Sequence, residues 1–132
     1  MSDSGESPLK ELLVKEAQLN EFLLRDLLKP FISIEESSGS LIPTENFDKL
    51  TVKQKIVVVC LAQKAKLILK LSSSEKLRPK EIERILNVKG STVRPQLKRL
   101  REGGIVQSDK EGYWVPNASL YKAKNLLLGG KK

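Results

Sequence analysis

Histidine is absent from the 132 residues, and cysteine occurs once, at Cys60. The first absence removes the commonest general base and the commonest metal ligand. The second rules out an internal disulfide and a multi-cysteine zinc site. Aromatic residues make up 5% of the chain, too few for stacking on bases to be the main mode of binding. The longest apolar run, Ile56 to Ala62, is seven residues between Lys55 and Gln63, far short of the roughly 20 that span a bilayer. Met1 to Lys10 holds no basic stretch followed by an apolar one, so no secretory signal is read and a cytoplasmic location is expected. These absences point away from an enzyme and lead us to expect no cofactor, no metal and no membrane partner.

What is present is charge, unevenly spread. The net charge of +8 divides into 5 Lys/Arg against 10 Asp/Glu in residues 1–50, and 19 against 6 in residues 51–132. The first stretch therefore carries −5 and the second +13. A field of that size favours polyanions and speeds their approach. The length suits one compact domain with an appendage. We expect an acidic extension over 1–50, a folded domain over 51–128 and a basic tail over 129–132.

Apolar spacing supplies the elements. Ser7-Pro8 can start a helix, and Leu9, Leu12, Leu13, Leu19, Leu23 and Leu27 continue it as an amphipathic helix over about 8–29. Such a helix either packs back on its own domain or pairs with a second chain. Phe31 to Ile34 and Leu41-Ile42 read as a short hairpin over 31–42, around a polar turn containing Gly39. Thr51 can cap a long helix to about Leu71, in which length and period outweigh the β-branched run Ile56-Val57-Val58-Val59. A helix over 79–87 turns Ile82, Ile85 and Leu86 inward. Another follows from Ser91 to about Glu102, closed by Gly103-Gly104. Residues 105–108 and 113–115 read as a hairpin on a four-residue turn. Asn117 can cap a last helix through about Leu128, with Leu120, Leu127 and Leu128 on its apolar side.

The helix from Ser91 can be tested on its own. With Val93 at 0° and about 100° per residue, Leu97 falls near 40° and Leu100 near 340°, on one core face. Arg94, Lys98, Ser91, Pro95, Arg99 and Thr92 fall between about 100° and 260°. That outer face carries three cations and two hydroxyls and no acid, so it cannot neutralise itself by i,i+4 pairing. A polyanion would neutralise it.

From residue 51 onward the order is helix, helix, tight turn, helix, hairpin, helix. Glu81-Ile82, Val88, Ser91-Thr92-Val93, Leu97-Lys98-Arg99-Leu100 and Gly104-Ile105-Val106 stand at the spacing of the winged helix-turn-helix family, which this stretch resembles. The resemblance implies a mainly α fold with a small β-hairpin, here with an extra N-terminal helix and a C-terminal helix. Two positions depart from the pattern. Glu83 stands where a small residue normally lets the two helices approach, and Pro95 lies inside the third helix, within its first turn if Ser91 is the cap.

The resemblance also implies the contacts. Ser91, Thr92, Arg94 and Pro95 would lie near bases in the major groove, where Arg can donate two hydrogen bonds to guanine O6 and N7. Lys98, Arg99, Lys89 and Arg101 would reach phosphate or the groove edge, and Lys80 would meet phosphate at the start of the preceding helix. Lys110, the wing's only cation, would contribute weakly, because Asp109 and Glu111 nearly cancel it. Of Tyr113 and Trp114, which alternate across the hairpin, Trp114 is expected in the core. Cys60 is expected to be an inert buried thiol, and Glu81/Glu83 and Glu35/Glu36 to be surface acids.

The resulting expectation is a small, nucleoid-associated transcriptional regulator. It binds double-stranded DNA sequence-selectively through the helix over 91–102, as a homodimer joined through the helix over 8–29, the helix over 117–128, or both. The alternative is a winged-helix protein-interaction module of a larger nucleic-acid-processing assembly, docked through the acidic residues 1–50.

Overall fold

A helix with almost no solvent face organises the chain. In the computed structural model, which describes residues 7–13 and 15–129, α3 (Val52–Ile68) begins in a reciprocal cap. Thr51 Oγ1 accepts from the Gln54 N–H at 3.1 Å, and Gln54 Oε1 accepts from the Thr51 N–H at 2.9 Å. Ile56 to Ala62 are all buried. The β-branched run is therefore helical because neighbours cover every side of it, and its burial contributes on the order of 10 kcal/mol before ordering costs. The helix stops at Ile68, short of the expected Leu71, and Leu67 is exposed.

The acidic N-terminal half wraps this helix. The stretch 8–29 is divided into a 3-10 turn (Pro8–Leu12), capped by Ser7, and α1 (Glu16–Leu28). The backbone is extended at Leu13 and Lys15, with ψ of 127° and 126°. Leu24, Leu27 and Leu28 of α1, with Phe31 and Ile32 after it, join the same hydrophobic cluster as the centre of α3. A hairpin follows, β1 (Ile32–Ile34) against β2 (Leu41–Pro43), in the register Ser33↔Ile42. Its turn is fastened by Glu35, whose Oε1 accepts from the N–H of Ser38 at 2.6 Å and from its hydroxyl at 2.8 Å. These bonds pull the Glu35 carboxyl down to about 2. One helical turn, α2 (Glu45–Asp48), leads into α3.

Beyond α3 the loop 72–76 is clipped back onto it. Gln63 Nε2 donates to Ser72 Oγ and to the Ser74 carbonyl, each at 2.8 Å. Buried Lys64 places Nζ 2.7 Å from Glu75 Oε1 and 3.0 Å from Asn117 Oδ1. Then come α4 (Pro79–Leu86), a turn in which Asn87 takes the left-handed conformation (φ 56°), and α5 (Gly90–Glu102). Val93, Leu97 and Leu100 of α5 are buried, as the period requires, and Ile82 of α4 faces them from the core. Ile85, expected inside, is exposed, because eight residues of α4 give it one buried edge only.

The wing is β3 (Gln107–Asp109) and β4 (Gly112–Trp114), antiparallel, with Asp109 opposite Gly112. Its turn is therefore two residues, Lys110-Glu111, not four. A third strand position, unforeseen in the sequence, is Leu77. Its N–H donates to the Tyr113 carbonyl at 2.9 Å and its carbonyl accepts from the Tyr113 N–H at 2.7 Å. Tyr113, so held, packs against the core, whereas Trp114 is half-buried under Lys76, whose Nζ is 4.6 Å from the ring centre. The expected assignment of Trp114 to the core is not met: both aromatics are half-buried, and it is Tyr113, on the same strand face as buried Val115, that packs against the core.

After a 3-10 turn (Asn117–Ser119), α6 (Leu120–Gly129) returns across α1 and α3. Leu120, Ala123, Leu126 and Leu127 are buried, and Leu128 is exposed. Residues 130–132 of the basic tail lie outside the described residues. No helix among the described residues is long and apolar enough to cross a membrane. The architecture is mainly helical with two small antiparallel hairpins, the second of which is the wing of a winged helix-turn-helix.

Candidate nucleic-acid interface

The outer face of α5 is open. Ser91, Thr92, Arg94, Pro95, Lys98, Arg99 and Arg101 are all exposed, because Val93, Leu97 and Leu100 anchor the opposite side against the core. The helix starts earlier than its hydroxyls suggest. Lys89 is the N-cap residue, extended at φ −66°, ψ 149°, and it makes no side-chain cap bond. Pro95 therefore lies in the helix interior, not in its first turn. It has no N–H to give to the Ser91 carbonyl, and the fixed packing of Val93 and Leu97 on either side carries the helix through.

The wing and the start of α4 bring further cations to the same side. Arg78, Pro79, Lys80, Arg94, Asp109, Lys110, Gly112 and Tyr113 line a cleft of about 370 Å³ between α4, α5 and the wing. The chain can make this cleft because Pro79 fixes the first turn of α4, while Glu81 Oε1 accepts from the Arg78 N–H at 2.8 Å. Glu81 is thus part of a helix cap rather than an idle surface acid.

The electrostatics of the wing differ from those its sequence implies. Asp109 and Glu111 do not cancel Lys110. Lys76, more than thirty residues earlier, places Nζ 2.5 Å from Asp109 Oδ2 and 3.4 Å from Glu111 Oε1. The hydrogen bond from Lys76 lowers the Asp109 carboxyl below its ordinary range, aided by the Glu111 N–H, and the same bond raises the Lys76 ammonium. Lys110 is left at the wing tip with its charge uncompensated. Among the described residues, Lys80, Lys89, Lys98, Arg99 and Lys110 make no ion pair. Arg101 donates to Ser108 Oγ at 3.3 Å, which leans it toward β3.

One cation of the face does have a partner. Arg94 Nη2 stands 3.6 Å from Glu83 Oε2, across the α4–α5 contact. The close approach expected from a small residue at position 83 is provided by Gly90 instead. A Cβ there would lie 2.7 Å from Glu83 Oε2. Of the sequence-derived positions, Lys80, Arg94 and Lys110 converge on one cleft, Lys89 stands at the head of α5, and Lys98, Arg99 and Arg101 continue along it. Sequence reasoning missed Arg78, Lys76 and Glu83 as parts of this surface. For Arg78 a signal existed, since a residue before proline is held extended and exposed at a helix start.

Cys60 is buried in α3, and burial pushes its thiol up to about 12, with Glu75 adding to the shift. It contributes no chemistry to the surface.

Comparison with known proteins agrees with this geometry. Residues 63–108 match the family model described as bacterial regulatory protein, arsR family. The match covers about a third of the chain and runs from the end of α3 through α4 and α5 to the first wing strand. No curated protein and no solved structure gives a match. The matched segment is that of a DNA-binding transcriptional regulator, and it coincides with the elements that present the basic face. Residues 63–108 are thus those of a winged helix-turn-helix of the DNA-binding kind, similar to that of the arsR-type bacterial regulators.

Proposed function

We propose that the protein binds double-stranded DNA sequence-selectively, with the outer face of α5 in the major groove, and acts at the nucleoid as a small transcriptional regulator. The observation that carries this reading is the run of uncompensated cations from the wing tip across α4 to α5. Lys110, Lys80, Lys89, Lys98 and Arg99 have no acid of their own, so the phosphates of a duplex are their natural counter-ions. Ser91, Thr92, Arg94 and Pro95 are the base-proximal positions. Lys80, Lys89, Lys98, Arg99, Arg101 and Lys110 contact phosphate and the groove edge.

A homodimer completes the reading, since one such module buries little DNA surface. Supporting it, Leu9, Leu12 and Leu13 are each more than two-thirds exposed, and Leu19, Phe22 and Leu128 also lie open on α1 and α6. Sedimentation equilibrium of the full chain decides this point.

Fluorescence anisotropy of a labelled duplex of about 30 base pairs tests the DNA reading. Binding should show a salt slope of about −4 to −7. Lys98→Ala with Arg99→Ala should flatten that slope by about 2 at an unchanged melting temperature. Absence of binding at low salt refutes the reading. It would leave the protein-interaction module, with the apolar groove of about 530 Å³ between α1, β1 and α3 as its docking surface.

A further inference from the structure

Glu83 is out of place on a surface that meets a polyanion. Its side chain is largely buried, about a quarter exposed, at the contact of α4 with α5. Its Oε2 is shielded from water and accepts no hydrogen bond. The group compensating it is the Arg94 guanidinium at 3.6 Å, and Arg94 is itself 60% exposed. Gly90 leaves the space in which the two meet, because a Cβ there would crowd Glu83 Oε2 at 2.7 Å and Arg94 Nη1 at 3.1 Å. On its other side Arg94 borders the cleft that holds Arg78, Lys80 and Lys110.

We propose that Glu83 is an internal competitor for Arg94: a carboxylate that Arg94 must exchange for an acceptor on the nucleic acid. The inference rests on the DNA-binding reading above. A pair at 3.6 Å without a hydrogen bond lacks the directionality to aim a guanidinium, so it restrains Arg94 and does not orient it. When Arg94 leaves, Glu83 Oε2 remains shielded and without a partner, which is costly for a carboxylate. A phosphate or a guanine edge each offers Arg94 hydrogen bonds in exchange, and the cost of the abandoned carboxylate is subtracted from either. Glu83 thus weakens the contacts Arg94 makes with DNA while touching no DNA itself.

The test uses four full-length proteins, wild type, Glu83→Gln, Arg94→Ala and the double variant. Each is titrated by anisotropy against a mixed-sequence duplex of about 30 base pairs at one low salt concentration. Glutamine keeps the shape of Glu83 and removes its charge, and melting curves confirm that all four fold. Glu83→Gln should tighten binding to this non-cognate duplex about three- to tenfold, as expected for one partly exposed charge pair. The same change on the Arg94→Ala background should give less than about twofold. An equal gain on both backgrounds would mean that Glu83 acts only as a distant negative charge, and the proposal falls. No gain, or weaker binding, in Glu83→Gln also overturns it, because Glu83 would then be aiming Arg94. If the wild type binds no duplex, the DNA-binding reading falls first and takes this inference with it.

Discussion

Replacing Glu75 by alanine should destabilise the protein by far more than its surface position suggests. Glu75 closes an ion pair with Lys64, whose side chain is 8% exposed while that of Glu75 is 25% exposed. Glu75 Oε1 makes no well-aligned hydrogen bond, yet Lys64 Nζ stands 2.7 Å from it. The attraction between the charges is therefore what compensates both groups. With Glu75 gone, the buried ammonium keeps only Asn117 Oδ1, at 3.0 Å. Removing one partner of a fully buried pair costs about 3–5 kcal/mol. Since water reaches Glu75 in part, we expect about 2–3 kcal/mol here. For a chain of this length that is a fall in melting temperature of about 6–15 °C. Urea unfolding followed by far-UV circular dichroism measures it. Lys64→Met, which removes the buried charge itself, should cost less than about 1.5 kcal/mol, and adding Glu75→Ala to it should cost almost nothing more. Additive losses in the double variant, or a loss below about 0.5 kcal/mol for Glu75→Ala alone, would refute the reasoning.

Two further outcomes follow from the wing. Gly112 has φ of +143°, and a Cβ there would lie 2.6 Å from the Leu77 carbonyl oxygen. Gly112→Ala should therefore cost about 2–4 kcal/mol in thermal unfolding, and a loss under about 0.5 kcal/mol would contradict the geometry. The Lys76–Asp109 pair should make the wing sensitive to pH at both extremes. Asp109 titrates below its ordinary 3.8 when folded, so its contribution is present above that value and is lost as pH falls through the lowered one. Lys76 titrates above its ordinary 10.5, so its contribution is present below that value and is lost as pH rises beyond it. Trp114 emission, measured under Lys76, should change below about pH 4 before helical circular dichroism does, and Lys76→Met should abolish this early change. An emission unmoved until global unfolding would count against the pair.

The helix-turn-helix was legible because its signals are local. Val93, Leu97 and Leu100 mark the core face of α5 by period alone, and Gly104 ends that helix with φ of +78°. The β-branched run of α3 was readable as helix because the apolar spacing outlasts any strand. Contacts between charges distant in sequence were not legible. Nothing in the composition of the wing announces that Asp109 belongs to Lys76, or that Arg94 faces Glu83, since such pairings depend on how elements approach one another. Leu77 shows a second kind of blindness. A single residue of strand has no period to detect, although its two hydrogen bonds tie the wing to the start of α4. The cap of α5 was misplaced for a third reason. Ser91 and Thr92 have the preferred side chains, yet the helix begins at Gly90 without a side-chain cap, because packing of Val93 against the core fixes the first turn.

The Leu77 bridge has a consequence for how tightly a duplex can be held. Residues 76–78 lead directly into α4, so the two hydrogen bonds to Tyr113 weld the wing to the first turn of the helix-turn-helix. Lys110 and Lys80 are thereby mounted on one rigid calliper, and the gap between them is set before any ligand arrives. A wing on a free hairpin would have to surrender its mobility on each encounter, at roughly 1–2 kcal/mol per residue immobilised. Here that freedom is already lost in folding, so on the proposed DNA-binding reading a duplex whose groove matches the gap would be gripped without it. A duplex of different groove width cannot be accommodated by bending the wing. On that reading the span of the jaw would act as a gauge of helix shape, independent of any base contact.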